Sequence, residues 1–181
     1  MRIAGVVLSG GLSRRMGQDK AKLELHGQSL LQRCQQQLQA TSVNEVLISG
    51  RGPEHIADVY PQQGPLGGIH GVMQNSDFDG FLFVPVDMPA MSAVYLQPLL
   101  DAGSHQSTIC YFDGYNLPVY IPRQPEILDY IENQLRDNGK RSVYSLLTAF
   151  PALVLPPPAE AVMQNINEPQ QWQQFSNMPK G

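Results

Sequence analysis

Short unbroken apolar stretches alternate along this chain with segments whose apolar positions recur every three or four residues. Ile3-Ala4-Gly5-Val6-Val7-Leu8 is the first unbroken stretch, and it stops abruptly at Ser9-Gly10-Gly11. A strand apolar at every position has no polar face to offer water, so the pattern predicts a parallel strand covered on both sides. Val46-Leu47-Ile48 and Phe81-Leu82-Phe83-Val84 repeat it. Between the first two, Leu30, Leu31, Cys34 and Leu38 fall on one face of a helix near 30–40, with Ser29 and Gln32 spaced as a capping box. Gly64-Pro65-Leu66-Gly67-Gly68 reads as a turn into a short helix with Ile69, Val72 and Met73 inward. A further helix is expected over 92–101 with Ser92 as its N-cap, and Pro98 within it predicts a kink or a later start.

The second half carries weaker strand signals. Segments 107–112 and 117–121 flank Asp113-Gly114, a hairpin signal, and Pro118 places the second strand at an edge or a bulge. Ile127, Leu128, Ile131 and Leu135 define a helix over 125–137 that Gly139 ends. Ala152–Leu155 is a candidate last strand, and Pro169 can open a closing helix whose solvated face carries the Gln-rich run at 170–174. The alternation as a whole predicts a three-layer α/β architecture, a mostly parallel open sheet with helices on both faces. With 181 residues and no repeat or clear linker, the chain reads as one domain. Ligands of such sheets bind beyond the carboxyl ends of the strands. Ser9-Gly10-Gly11 and Asp87, which follows the 81–84 strand, both fall on that edge.

Composition narrows the chemistry. The chain is 42% hydrophobic and 15% charged, as expected of a soluble globular protein, and its formal net charge is −4. That balance argues against non-specific nucleic-acid binding, so phosphate chemistry has to come from a local cluster. Arg14, Arg15, Lys20 and Lys22 form one. The first apolar run is too short for a signal peptide or a membrane span, which points to the cytoplasm. Cys34 and Cys110 have no CxxC spacing and read as two buried thiols. His26, His55, His70 and His105 have no metal-ligand spacing, so no zinc site is assigned.

The richest segment is Leu8-Ser9-Gly10-Gly11-Leu12-Ser13-Arg14-Arg15-Met16-Gly17-Gln18-Asp19-Lys20. Two glycines after a buried strand let backbone N–H groups approach anionic oxygens closely. Arg15 and Lys20 can neutralise a triphosphate, the first bidentately and the second as a point charge. The segment is neither a Walker P-loop nor a GxGxxG fingerprint, since the spacings of both differ. Asp87, at a strand end and followed two residues later by Pro89, suits Mg²⁺, which takes one or two carboxylates plus substrate phosphates. Alone it reads equally well as a loop cap.

The string Leu8-Ser9-Gly10-Gly11-x-Ser13-x-Arg15-Met16-Gly17-x-Asp19-Lys20-x-x-Leu23-x-x-x-Gly27-x-x-Leu30-Leu31 resembles the signature of MobA-type molybdenum cofactor guanylyltransferases. Gly64-Pro65-Leu66-Gly67-Gly68-Ile69, Asp87-Met88-Pro89 and Asn165-Ile166-Asn167-Glu168-Pro169 continue the resemblance in order over nearly the whole chain. It implies a Rossmann-like nucleotidyltransferase sheet and transfer of GMP from GTP to the molybdopterin cofactor with Mg²⁺. Leu8, Ser9, Gly10 and Gly11 would line the guanine pocket. Lys20, helped by Arg15, would hold the phosphates, and Asp58 would contact the nucleoside. Asp87 would bind the metal and the nucleotide phosphates. Asn165 and Asn167 would lie at the pterin end; as bare asparagines they read equally as loop-backbone partners. Acceptor or delivery proteins are implied as transient partners.

The sequence departs from the family pattern at several places. Ser49 stands for a commoner asparagine, the 51–64 segment is short, and Glu168 replaces a frequent threonine. Leu117-Pro118 replaces a more polar pair. Gly139-Lys140-Arg141 resembles a basic pterin-side element, but by itself reads as an exposed helix end. Two alternatives stay open: transfer of CMP or another nucleotidyl group to a small molecule, and a nucleotide-binding relative without turnover.

Overall fold

A six-stranded sheet frames the computed structural model, which describes residues 1–10, 20–137, 139 and 141–177. In chain order its elements are β1 (Ile3–Leu8), a 3-10 turn (Lys20–Lys22), β2 (Glu24–Leu25), β3 (Gln28–Ser29), α1 (Leu30–Gln39) and β4 (Glu45–Ser49). There follow α2 (Gly64–Asn75), β5 (Gly80–Pro85), α3 (Ala93–Gln106), β6 (Ile109–Phe112) and β7 (Val119–Pro122). The chain then forms α4 (Pro125–Arg136), α5 (Val143–Ala149), β8 (Ala152–Leu155), α6 (Glu160–Met163) and α7 (Pro169–Ser176).

The sheet order is β4-β1-β5-β7-β6-β8, with β2 and β3 forming a separate two-stranded ribbon. β4, β1 and β5 run parallel, β8 runs parallel to β6, and β7 is antiparallel to both of its neighbours. The mostly parallel α/β sheet read from the sequence is therefore the one observed. Pro118 led to the expectation of an edge or a bulge, and the structure corrects this: β7 lies inside the sheet. The proline precedes Val119, where pairing begins, so its missing N–H costs the ladder nothing.

Alternation along each strand divides the core between the two faces. Val7, Leu82, Val84, Cys110 and Tyr120 pack with Leu30 and Leu38 of α1 and with Leu96, Leu99 and Leu100 of α3. Ala4, Val6, Phe81, Phe83, Val119 and Ile121 pack with Leu66, Ile69 and Met73 of α2, Ile127 and Ile131 of α4, and Leu146 of α5. Burying a single such aliphatic or aromatic side chain stabilises the fold by about 1.5–3 kcal/mol.

Local signals set most helix limits. Ser29 caps α1 in a full capping box with Gln32. Ser92 takes the N-cap position of α3 without a side-chain bond, and the Ala93 N–H instead donates to Gln37 Oε1 of α1 at 3.0 Å. Pro98 is carried inside α3, which runs on to Gln106 rather than ending near 101. Three buried leucines of α3 hold it to the sheet, and that packing outweighs a helix-interior proline cost of about 3 kcal/mol. The residues after 137 supply α5, an element without a clear signal in the sequence pattern. Among the described residues, no helix is long and apolar enough to cross a membrane.

Candidate functional site

The register of the three parallel strands decides where the chemistry lies. Leu8 pairs with Ser49 on one side and with Pro85 on the other, so all three strands finish on one line. Beyond it the Ser9 N–H donates to the Ser49 carbonyl at 2.9 Å, and the Val86 N–H donates to the Leu8 carbonyl at 3.2 Å. Ser9, Gly50 and Asp87 thus leave the sheet together. A cleft of about 1200 Å³ opens over this edge. Leu8, Ser9, Gly10, Lys20, Asp58, Asp87 and Asn165 all line it. Gly11 and Arg15, also expected there, lie outside the described residues, as does Lys140.

Helix α2 shapes one wall through its glycines. A methyl group at Gly71 would stand 2.8 Å from the Ala57 carbonyl oxygen, and one at Gly67 would stand 3.1 Å from the Tyr60 carbonyl oxygen. With hydrogen there instead, the 57–60 segment lies directly against the helix and Asp58 reaches the cleft. Burial pushes the Asp58 carboxyl above the usual carboxylate range, against the opposing pull of Arg51 on the same wall. Ser49 is almost wholly buried, and its Oγ would be only 2.5 Å from a methyl group at Gly68. Ser9 Oγ donates to the Ser49 carbonyl at 2.9 Å, fixing the turn after β1.

Charge gathers on the floor. Lys20 Nζ donates to Asp87 Oδ2 at 2.9 Å and to Asn167 Oδ1 at 2.6 Å. The Ile166 N–H donates to the Asp87 carbonyl at 2.8 Å, so three segments far apart in the chain meet at one strand end. Asn167 is held from behind: Gln171 Oε1, in the first turn of α7, accepts from the Asn167 N–H at 2.7 Å and from the Glu168 N–H at 3.0 Å. Asn167 therefore sits with Lys20 and Asp87, whereas Asn165 lines the cleft beside it. Cys34, expected to be buried, is half-buried near this charge, and burial and the Asp87 charge push its thiol up to about 12.

A hard divalent cation fits this donor set. Asp87 offers a hard carboxylate oxygen, and a cationic group already stands against it, held on its other side by the Asn167 amide oxygen. Among the described residues there is no group of three or more His, Cys, Asp or Glu side chains that could hold a metal. A metal at Asp87 would therefore complete its shell with substrate oxygens and water.

The opposite wall was largely missed by sequence reasoning. Gly114, Tyr115, Asn116 and Leu117 of the β6–β7 connection line it, together with Arg141, Ser142 and Val143 at the start of α5. Arg141, read from the sequence as an exposed helix end, is half-buried, and its buried Nε has no hydrogen-bond partner among the described residues. The usable signal was the position of Arg141 directly before Ser142, which caps α5 by accepting from the Ser145 N–H.

Comparison with known proteins places this geometry in context. Residues 5–151 match the model of the MobA-like NTP transferase domain. The chain is 36% identical to the molybdenum cofactor guanylyltransferase of Xanthomonas euvesicatoria over 93% of its own length and 91% of that protein. It is 28% identical to the enzyme of that name from Vibrio atlanticus, covering 96% and 95%. Among solved structures, molybdopterin-guanine dinucleotide biosynthesis protein A from Archaeoglobus fulgidus superposes with a TM-score of 0.78 at 20% identity over 96% of both chains.

Proposed function

The chain belongs to the MobA-like NTP transferase family and is a nucleotidyltransferase, and from that premise we propose that it transfers GMP from GTP to the molybdopterin cofactor with Mg²⁺. One observation carries the reading: the Ser9-Gly10 turn, Lys20, Asp58 and Asp87 share a cleft of about 1200 Å³, larger than a single small-molecule pocket of about 300–1,000 Å³. Two substrates meeting end to end account for that size. The guanine lies against Leu8, Ser9 and Gly10, and the triphosphate extends to Lys20. The base faces Asp58, whose carboxylate matches the N1–H and N2–H₂ donors of guanine. The acceptor phosphate enters from the Arg141 wall, with Asn165 beside it.

In the reaction, a terminal phosphate oxygen of the acceptor attacks the α-phosphorus of GTP and pyrophosphate leaves. The attacking oxygen is already anionic, so no general base is required, and the protein contributes alignment and charge neutralisation. Asp87 would hold Mg²⁺, which would supply charge stabilisation at the transferring phosphoryl group. Lys20 draws the phosphate oxygens onto the strand edge and stabilises the departing pyrophosphate. Arg141 orients the incoming phosphate and offsets its charge as the two anions approach.

The test is anaerobic incubation of the protein with molybdopterin cofactor, Mg²⁺ and either GTP or CTP, with mass detection of product. A guanine dinucleotide formed only with GTP supports the reading. A cytosine dinucleotide would reassign the base pocket, and no product with either nucleotide would overturn the acceptor.

A further inference from the structure

An ammonium group stands where the site would take a metal. Lys20 Nζ is 2.9 Å from Asp87 Oδ2 and 2.6 Å from Asn167 Oδ1, and the lysine and aspartate side chains are only 14% and 21% exposed. Water screens this pair poorly at such exposure, so the charges hold each other more firmly than a surface pair. The Asp87 carboxylate is also the hard donor a divalent cation would choose. A divalent ion approaching Asp87 meets a positive charge already in contact with the carboxylate, and the described residues provide no larger acidic cluster to outbid it.

We propose that Lys20 is the resident counter-cation of Asp87 in the nucleotide-free protein, and that the metal enters only with the triphosphate. The inference rests on the nucleotidyltransferase reading of the cleft. Phosphate oxygens compete with Asp87 for the ammonium. Once Lys20 moves onto them, the carboxylate is free for the divalent ion the nucleotide carries. Exchange at one carboxylate thus couples metal entry to nucleotide entry. It keeps the empty site from binding metal alone, and it gives Lys20 a role before chemistry in addition to its contact with phosphate. Asn167 assists by holding the ammonium on the strand edge, and Gln171 holds Asn167.

The experiment titrates Mn²⁺, as a paramagnetic probe, into the full chain without nucleotide and follows the free ion by electron paramagnetic resonance. The wild type should bind Mn²⁺ weakly. Lys20→Met should bind it roughly five- to tenfold more tightly, the scale of losing one partly buried opposing cation. That gain should vanish in the Lys20→Met, Asp87→Asn double variant. Asn167→Ala loosens the ammonium without removing it and should tighten Mn²⁺ binding about twofold, so the question stays answerable if Lys20→Met fails to fold. Weaker binding in Asn167→Ala would make Asn167 a metal ligand and overturn the proposal. So would equal or weaker binding in folded Lys20→Met, or wild-type affinity for Mn²⁺ that the α,β-methylene analogue of GTP does not raise. Calorimetry with that analogue separates the two levels. If it binds the wild type and Lys20→Met shows no gain, counter-cation exchange fails and the nucleotidyltransferase reading stands. If it does not bind, both fail.

Discussion

At one end of the cleft the functional groups hang on strand ends, and at the other they hang on loops. Ser9, Gly50 and Asp87 leave three parallel strands in register, and backbone hydrogen bonds tie each strand end to its neighbour. Tyr115, Asn116 and Arg141 project from a six-residue hairpin connection, 113–118, and from the approach to a short helix. The first arrangement gives fixed geometry, suited to the reacting phosphate and its metal, where small displacements cost rate. The second tolerates change in shape, suited to a bulkier second substrate. Substitutions at the strand-end side should therefore act on turnover, and substitutions at the loop side on substrate capture.

The largest effect should come from Asp87→Ala, with kcat lowered about 100-fold or more through loss of the main electrostatic stabiliser. Steady-state assays at saturating substrates check this; near-normal kcat would remove Asp87 from the chemistry. Gly71→Ala comes next and sharpens the comparison by moving the wall without touching a functional group. Its methyl would press on the Ala57 carbonyl at 2.8 Å, so stability should fall by about 1–3 kcal/mol and GTP affinity should fall with it. Denaturant melts and calorimetry read the two losses. Unchanged GTP affinity would show that the 57–60 segment does not position the base.

The smallest effect is a pH dependence of stability outside the cleft. His70 of α2 is buried, 5.4 Å from the Tyr60 ring, and neither ring nitrogen has a partner among the described residues. Burial pushes its pKa below the ordinary 6.5, and Glu132 opposes that shift only in part. As pH falls below 6.5 the unfolded chain takes up a proton that the folded ring refuses. Stability should therefore drop between 6.5 and the lowered native value, by at most about 1.4 kcal/mol per pH unit, and show no His70 contribution to slope above 6.5. Urea denaturation on either side of 6.5 should show this slope in the wild type and not in His70→Leu; an identical slope in both would acquit the histidine.

How much was legible in the sequence follows the same division. β1, β4, β5 and the glycine turn after β1 are written in local apolar runs and their stops. Parallel strands buried on both faces leave that mark, and it places Asp87 on the correct edge without knowledge of distant contacts. Asp58 could be aligned only through the family resemblance, because its position depends on glycines of α2 that admit the 57–60 segment. Arg141 was read as exposed because nothing near it in sequence reveals that the β6–β7 connection closes over the same cleft. Pro118 misled for a related reason. A proline rule judges a strand by itself, whereas the place of β7 in the sheet was decided by pairing with β5, far back in the chain. The contact of Lys20 with both Asp87 and Asn167 spans 67 and 147 residues, beyond the reach of any local pattern.

The division of one cleft between two substrates is tested most directly by steady-state kinetics on Asp58→Ala and Arg141→Ala, with GTP and acceptor varied in turn. In the proposed arrangement each variant removes one group facing one substrate, a loss of roughly tenfold in KM for a hydrogen bond to a charged partner. Asp58→Ala should raise KM for GTP and leave that for the acceptor near wild type, and Arg141→Ala should do the reverse. If both variants raise KM for the same substrate, the two walls do not serve two substrates and the account is wrong.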